Sequence, residues 1–560
     1  MTDTAPPLDT LITGARIVDG TGNPWFYGDV AIGGDRIAAV ASPGRIDRAG
    51  VGEVVDAAGM IVCPGFIDIQ SHSIVPFLTD RRSLSKVTQG VTTEIMGEDW
   101  TPAPFGGRIE RPFEEGVRGR LGDAVFVEWT ERARGWSRFG DWLADLEGCG
   151  VAVNVGSFIG GSTVREFGKG HDLGKPTQDE LTQMRDIVAA AMEDGAFGIA
   201  TALIYPPGAF AGTDELVALC EVVAAYGGLH ITHIRSEVDR FLEALDEAIE
   251  IGRRSGVTTE VYHLKAAGPR NWPKMPEAIR RIDAARASGL DIGADMYPYE
   301  AAGTGLAASL PPEASEGDRL FERLRDPVAR AAIRAEMLQP TSDWENFAEI
   351  AGPENVLIAA LACPEHAAYV GKRLAEIAAA RGQEWVDAAL DLLAGEGQNI
   401  FTIYFMMSEE NLHLQFRQPW MKFGTDAGGH DPVTAAKHGL AHPRAYGTYP
   451  RILGRYVREQ GVIPLEDAVR KMSAAVADRL GLRDRGLLRT GMLADVVVFD
   501  PETICDVATY TDPHRLSVGV RDVWVNGGRV LRDGVHTGAM PGRRVYGPGF
   551  GAQALAGVPV

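Results

Sequence analysis

The feature that most constrains this chain is the alternation running through its middle. AVNVGSFIGG precedes DELTQMRDIVAAAMEDG, and FGIATALIYPPG precedes TDELVALCEVVAAYGG. LHITHIRSE precedes RFLEALDEAIEIGRRSG, and TTEVYHLKAAG precedes MPEAIRRIDAARASG, with LDIGADMYPYEAAG following. Each first member is a short β-branched run, and each second has apolar residues at helical spacing. Strands alternating with amphipathic helices give βαβ units and a parallel sheet. These units succeed one another without a GxGxxG turn. The length of chain involved favours a (β/α)8 barrel over an open doubly wound sheet. The stretch from Pro311 to Gly397 is less regular and reads as barrel helices with an inserted segment at about 311–397.

Both ends of the chain have a different texture. LITGARIVDGTG, DVAIGGDRIAAVAS and EVVDAAGMIVCPG at the start are short strands bounded by turn residues. GMLADVVVFDPE, GVRDVWVNGGRVLRDG and HTGAMPGRRVY at the far end read the same way. The simplest architecture joins residues 1–62 and 481–560 into one small β domain beside a barrel of residues 63–480.

Composition narrows the partners. The 560 residues carry 55 basic and 76 acidic side chains, a net charge of −21. Phosphate would be repelled, which argues against nucleic acid and against an anionic membrane surface. The cysteines at 63, 149, 220, 363 and 505 are scattered and form no CxxC pair. Neither a disulfide framework nor a thiolate zinc knuckle is expected. MTDTAPPLDT lacks a basic stretch followed by an apolar run, and no segment reaches the ~20 apolar residues of a membrane span. The expectation is a soluble cytoplasmic protein with a small-molecule partner; a homo-oligomer is allowed.

In a (β/α)8 barrel, side chains at the C-terminal ends of the strands converge on one site. FIDIQSHS offers Asp68, Gln70 and His72. VTTEIMGED offers Glu98 and Asp99, and LHITHIRSE offers His230 and His233. EVYHLKAAG offers His263 and Lys265, and MKFGTDAGGH offers Asp426 and His430. His72, His233 and His263 thus stand at three separate strand ends, with carboxylates at two more. Imidazole and carboxylate are ligands of zinc, whose catalytic form uses three protein ligands and water. Lys265, two residues beyond His263, shares its face if the strand continues. The long connection from Trp100 to Arg134 is a candidate cover for the site.

PGFIDIQSHS, QGVTTEIMGE, THIRSE, VYHLKAAG, DMYPYEAAG, FGTDAGG and HPRAYGTYPRILGRYVRE, with GMLADVVVFDPETICDVATY near the end, resemble the amidohydrolase superfamily. Within it they look like the N-acyl-D-amino-acid deacylase (D-aminoacylase) branch. The resemblance spans about residues 10 to 545. It implies a (β/α)8 barrel beside a small β-sandwich built from both chain ends, and zinc-dependent hydrolysis of an amide. It implies Glu98, His233 and His263 as ligands of the better-bound metal, with Asp99 an alternative to Glu98. The family's first strand usually carries His-x-His, and Gln70 stands in place of the first histidine. An amide carbonyl is a poor zinc ligand beside imidazole, so one zinc per chain is expected. His72 is then a ligand, a near-ligand or a partner to water. The resemblance also implies Asp426 as general base, and Arg444 and Tyr297 as candidates beside Lys265 for a substrate carboxylate. Tyr205 in LIYPPG is a candidate pocket residue, and equally a turn residue. Three readings follow: deacylation of an N-acyl-D-amino acid, hydrolysis of another peptide-like or cyclic amide, or binding without catalysis.

Overall fold

The computed structural model describes residues 8–340 and 344–551. Five strands open the chain: β1 (Thr10–Ile17), β2 (Phe26–Gly33), β3 (Arg36–Ala41), β4 (Glu53–Asp56) and β5 (Ile61–Pro64). The middle holds β6 (Phe66–Asp68), β7 (Val91–Met96), β8 (Asn154–Ser157), β9 (Ile159–Gly160), β10 (Gly198–Ala202), β11 (Leu229–His233), β12 (Thr258–Val261) and β13 (Ile292–Met296). Next come β14 (Ala301–Gly305), β15 (Val356–Ile358), β16 (Phe401–Phe405) and β17 (Met421–Phe423). The last strands are β18 (Val496–Phe499), β19 (Val520–Val525), β20 (Gly528–Arg532) and β21 (Val535–His536).

Both chain ends enter one nine-stranded sheet, in the order β21-β20-β19-β18-β5-β1-β2-β3 with β4 beside β1. Its seam is the antiparallel pair β5–β18, in register at Val62 and Val498 and running through Pro64 opposite Val496. Ile12, Ile32, Val62, Val496, Val498 and Trp524 bury together there. HTGAMPGRRVY departs from the expected strand: only its first residue, His536, lies in β21. Gly538, Pro541 and Gly542 interrupt any longer ladder. The segment instead runs beside β8, where the Val155 N–H donates to the Arg543 carbonyl (3.0 Å) and the Val545 N–H to the Val155 carbonyl (2.8 Å).

The central strands pair in parallel. β6, β7 and β8 form one run, and β9, β10, β11, β12, β13 and β17 form another. Only Phe158 separates β8 from β9. An isolated parallel bridge between Ser71 and Ala427 joins the segment after β6 to the segment after β17. Every residue of β7, β10, β11 and β13 is buried, as expected for parallel strands covered on both faces. The covering helices are amphipathic. In Phe241–Ser255, Phe241, Ala244, Leu245, Ala248, Ile249 and Gly252 face inward at helical spacing, and Gly256 ends the helix in the left-handed conformation. The helix Gln178–Glu193 starts with a capping box between Thr177 and Glu180.

Between β14 and β16 the chain makes a separate excursion. β14, β16 and β15 pair antiparallel in that order. The helices Leu320–Arg325, Pro327–Met337, Leu374–Arg381 and Trp385–Glu396 accompany them. This excursion has its own apolar core, including Leu324, Ile333, Phe347, Leu374 and Leu393. Among the described residues, no helix is long and apolar enough to cross a membrane.

Candidate active site

A cavity of about 550 Å³ opens where the central parallel strands end. His72 enters it from the segment after β6, Glu98 from after β7, His233 from the end of β11, and His263 and Lys265 from just past β12. Tyr297 follows β13 and Asp426 follows β17. Tyr205 and Arg444 complete the wall. These nine of the residues singled out in the sequence therefore line one cavity. The connection from Trp100 to Arg134 contributes Trp100, Arg120 and Leu121 to its rim.

Backbone pairing brings the first and last of these segments together. The Asp426 N–H donates to the Gln70 carbonyl (2.9 Å), and the His72 N–H donates to the Ala427 carbonyl (3.1 Å). His72 Nε2 consequently lies 2.9 Å from Asp426 Oδ1 and 3.2 Å from Glu98 Oε2. His263 and Asp426 adopt positive φ angles of 32° and 50°, a region that non-glycine residues enter uncommonly.

Two sets of donor atoms are gathered here, Glu98–His233–His263 and His72–Glu98–Asp426, each within 4.8 Å. In the first, His233 Nδ1 and His263 Nε2 are 3.0 Å apart. Glu98 Oε1 is 3.5 Å from His263 Nε2 and 3.9 Å from His233 Nδ1. Ligands on a tetrahedral zinc at ~2.0–2.1 Å are separated by about 3.3 Å, so this set fits the ion. Charge points the same way. The carboxylates Glu98, Asp426 and Glu237 stand beside the histidines, with Lys265 and Arg444 among the cations of the same cavity. Two of the imidazoles, His72 and His263, become more basic. Burial opposes a charge on His72, but Asp426 and Glu98 raise its pKa to about 10. Burial and Lys265 oppose a charge on His263, yet Glu237 and Asp426 raise it to about 9. Burial alone would raise the pKa of Glu98, but His263 and His72 hold it well below the ordinary value. His233 goes the other way, burial pushing its pKa down to about 4, so the fit to a cation rests on the donor spacing and the neighbouring carboxylates.

Several strand-end residues do other work. Asp99 turns out of the cavity: its Oδ2 accepts from the Ser162 hydroxyl (2.7 Å) and its Oδ1 from the Ala202 N–H (3.0 Å). Glu98, not Asp99, is therefore the carboxylate facing the histidines. Asp68 is fully buried against Lys86 Nζ at 2.5 Å and accepts from the Thr425 N–H. His230 bonds Thr201 Oγ1 at 3.0 Å, within the strands. Gln70 donates through Nε2 to Glu98 Oε2 (2.6 Å), and its Oε1 is buried without a partner.

The candidate substrate contacts are already engaged. Arg444 Nη1 lies 2.8 Å from Asp426 Oδ2, with its guanidinium 4.6 Å above the Tyr297 ring. Lys265 Nζ lies 2.6 Å from Glu237 Oε1 and 2.7 Å from His263 Nδ1. Tyr205 Oη bonds Thr304 Oγ1 at 2.6 Å, and its ring centre is 5.6 Å from that of His233. Strand-end reasoning missed Glu237, which lies past the end of β11, although THIRSE contains it. It also missed a third donor group, Cys363–His366–Glu396, in the excursion between β14 and β16.

The sequence profile of the amidohydrolase family matches residues 53–531. The D-aminoacylase of Alcaligenes xylosoxydans xylosoxydans is 33% identical over 96% of this chain and 97% of its own. The N-acyl-D-glutamate deacylase of the same organism is 34% identical over 93% of each. Among solved structures, the N-acyl-D-glutamate deacylase of Bordetella bronchiseptica, complexed with zinc and a phosphonate mimic of the tetrahedral intermediate, superposes with a TM-score of 0.78. It is 31% identical, and the match covers 96% of this chain and all of that one. The strand-end residues, their shared cavity and these matches lead to one conclusion: the chain belongs to the amidohydrolase family.

Proposed function

We propose that this protein is a zinc-dependent amidohydrolase that removes the acyl group from an N-acyl-D-amino acid or a similar carboxylate-bearing amide. One observation carries the reading. A tetrahedrally spaced Glu98–His233–His263 set shares a single cavity with a buried carboxylate, Asp426, and a buried arginine, Arg444. The D configuration comes from the relatives, which act on N-acyl-D-glutamate and N-acyl-D-aspartate.

Glu98, His233 and His263 would hold the ion. When bound, zinc supplies Lewis acidity, polarising a carbonyl and making water a better acid. The chain's own groups do the rest. Asp426 receives a proton from the attacking water on a carboxylate oxygen and passes it to the leaving nitrogen. Burial raises the pKa of Asp426, but Arg444, His263 and His72 outweigh it, so the group is ionised and ready to accept. His72, hydrogen-bonded to Asp426 Oδ1, aims that carboxylate. Arg444, Tyr297 and Lys265 orient the substrate carboxylate, and Tyr205 packs beside them.

One zinc per chain is the favoured stoichiometry. An ionised Glu98 carboxylate only accepts, so the Gln70 amide must turn its N–H to it. Residue 70 then offers no lone pair at the second position, which is left with His72, Glu98 and Asp426.

We read the central strands as a closed (β/α)8 barrel over about 63–480, with an inserted segment at about 311–397. Support comes from the consecutive parallel order and the Ser71–Ala427 bridge. The nine-stranded sheet from both ends is read as the β-sandwich, supported by β1 pairing with β2, β4 and β5.

The test is hydrolysis of a panel of N-acyl D- and L-amino acids, with metal analysis of the same sample. Turnover of the D series with bound zinc is expected. Cleavage of neutral amides with no carboxylate requirement would transfer the assignment to another amide.

A further inference from the structure

Glu237 is 2% exposed and lies four residues beyond His233, outside β11. Its backbone is fixed from both sides: its carbonyl accepts from the Ala267 N–H (2.8 Å), and its own N–H donates to the Glu345 carboxylate. Its side chain reaches behind the two histidines of the candidate zinc set. Oε1 is 3.0 Å from His263 Nδ1, and Oε2 is 3.6 Å from His233 Nε2. The two histidines thus meet each other through one nitrogen apiece, and each directs its other nitrogen towards the same carboxylate.

We infer that Glu237 is a positioning residue, setting the ring orientation and tautomer of both His233 and His263 and separating them from Lys265. The inference rests on the metal reading above. A neutral imidazole has one bare nitrogen and one N–H. To hold an ion beside Glu98, His233 must be bare at Nδ1 and His263 bare at Nε2. Their protons then sit on His233 Nε2 and His263 Nδ1, the two atoms facing Glu237. An ionised carboxylate only accepts, so it favours that pair of tautomers. His233 Nε2 is buried and makes no hydrogen bond, and the Glu237 carboxylate, 3.6 Å away, is the acceptor placed to stabilise its proton.

Lys265 makes the carboxylate necessary. Its ammonium only donates and lies 2.7 Å from His263 Nδ1. Left to that contact, it would donate to Nδ1 and move the ring proton to Nε2, the tautomer that cannot ligate. Glu237 Oε1 accepts from Lys265 Nζ (2.6 Å) and lies 3.0 Å from His263 Nδ1, so a proton on that nitrogen has an acceptor and the conflict is removed. The same carboxylate therefore connects the ligand histidines to a candidate substrate contact.

The test is zinc affinity by chelator competition on the full-length apo protein, with folding of each variant checked by thermal unfolding without metal. Wild type, Glu237→Gln, Glu237→Asp, Lys265→Met and the Glu237→Gln/Lys265→Met double variant are compared. Glu237→Gln is expected to weaken zinc binding 10- to 100-fold, the usual effect of losing a group that orients a ligand. Glu237→Asp, which keeps a withdrawn carboxylate, should lie between it and wild type. Lys265→Met should bind at least as tightly as wild type, and the double variant should stay weak, because His233 Nε2 still lacks its acceptor. Nitrogen-15 shifts of the imidazoles should show the protons of His233 and His263 redistributed in Glu237→Gln. Wild-type zinc affinity in both Glu237 variants would overturn the inference. So would full recovery in the double variant, which would reduce Glu237 to a counter-charge for Lys265. A wild type that binds no zinc would instead overturn the metal reading, and this inference with it.

Discussion

Arg444 Nη1 and Asp426 Oδ2 lie 2.8 Å apart in a buried pair. The residue proposed to hold the substrate carboxylate is thus also the residue that keeps the proposed base ionised. Substrate binding and proton transfer share a guanidinium, so substitutions at either position affect both steps.

Asp426→Asn should retain zinc and fold while losing at least the ~10²–10⁴-fold that a general base contributes to kcat. The measurement is kcat alongside elemental analysis of the same preparation. Turnover equal to wild type would remove Asp426 from proton transfer.

Arg444→Met should lower kcat on every substrate, because Asp426 loses its partner. It should cost more on a carboxylate-bearing substrate than on the matched neutral amide. A charge-assisted contact is worth ~1.5–3 kcal/mol, so the extra loss in kcat/KM is roughly ten- to a hundred-fold. Equal losses on both substrates would exclude a carboxylate contact at this residue.

Much of this site is legible in the sequence, because it obeys the rule that places polar side chains at the ends of parallel strands. His233 is the last residue of β11, and His263 follows β12 closely. The same rule also selects Asp68 and His230, and both are structural. Asp68 meets Lys86 and Thr425, whose contacts with it no spacing foretells. Glu237 is illegible for a related reason: it lies in a loop, where no periodicity fixes side-chain direction. Arg444 reaches Asp426 only because the chain folds back into the helix Arg444–Arg451. The excursion between β14 and β16 shows in the sequence only as irregularity at about 311–397, because its antiparallel strands are distant in sequence and their pairing has no local signal.

His233→Ala and His263→Ala should each abolish tight zinc binding, since each removes one of three protein ligands. Wild type should hold close to one ion per chain. Gln70→His, which exchanges an amide N–H for a ligating nitrogen, should raise occupancy of the second position. Two tightly held ions in the wild type would refute the role given to Gln70.

Acid should weaken the fold in part through His230. Burial pushes its pKa down to about 4, against about 6.5 in an unfolded chain. Between those values the unfolded state binds a proton that the folded state refuses. This contribution is therefore complete above pH 6.5 and is lost as pH falls towards 4. The difference amounts to about 3 kcal/mol. Denaturant midpoints at pH 7, 5.5 and 4 should decline, and His230→Gln should flatten that decline. An unchanged slope would show that other groups govern it.

The β5–β18 seam has a consequence for synthesis. Val62 emerges from the ribosome long before its partner Val498 exists. Until then the amino-terminal strands present an unpaired edge, which is a template for wrong pairing. The nascent chain must keep that edge apart while the whole central stretch is translated. A molecule truncated before Val496 would carry every residue of the zinc set and still lack the strand that covers the edge of β5.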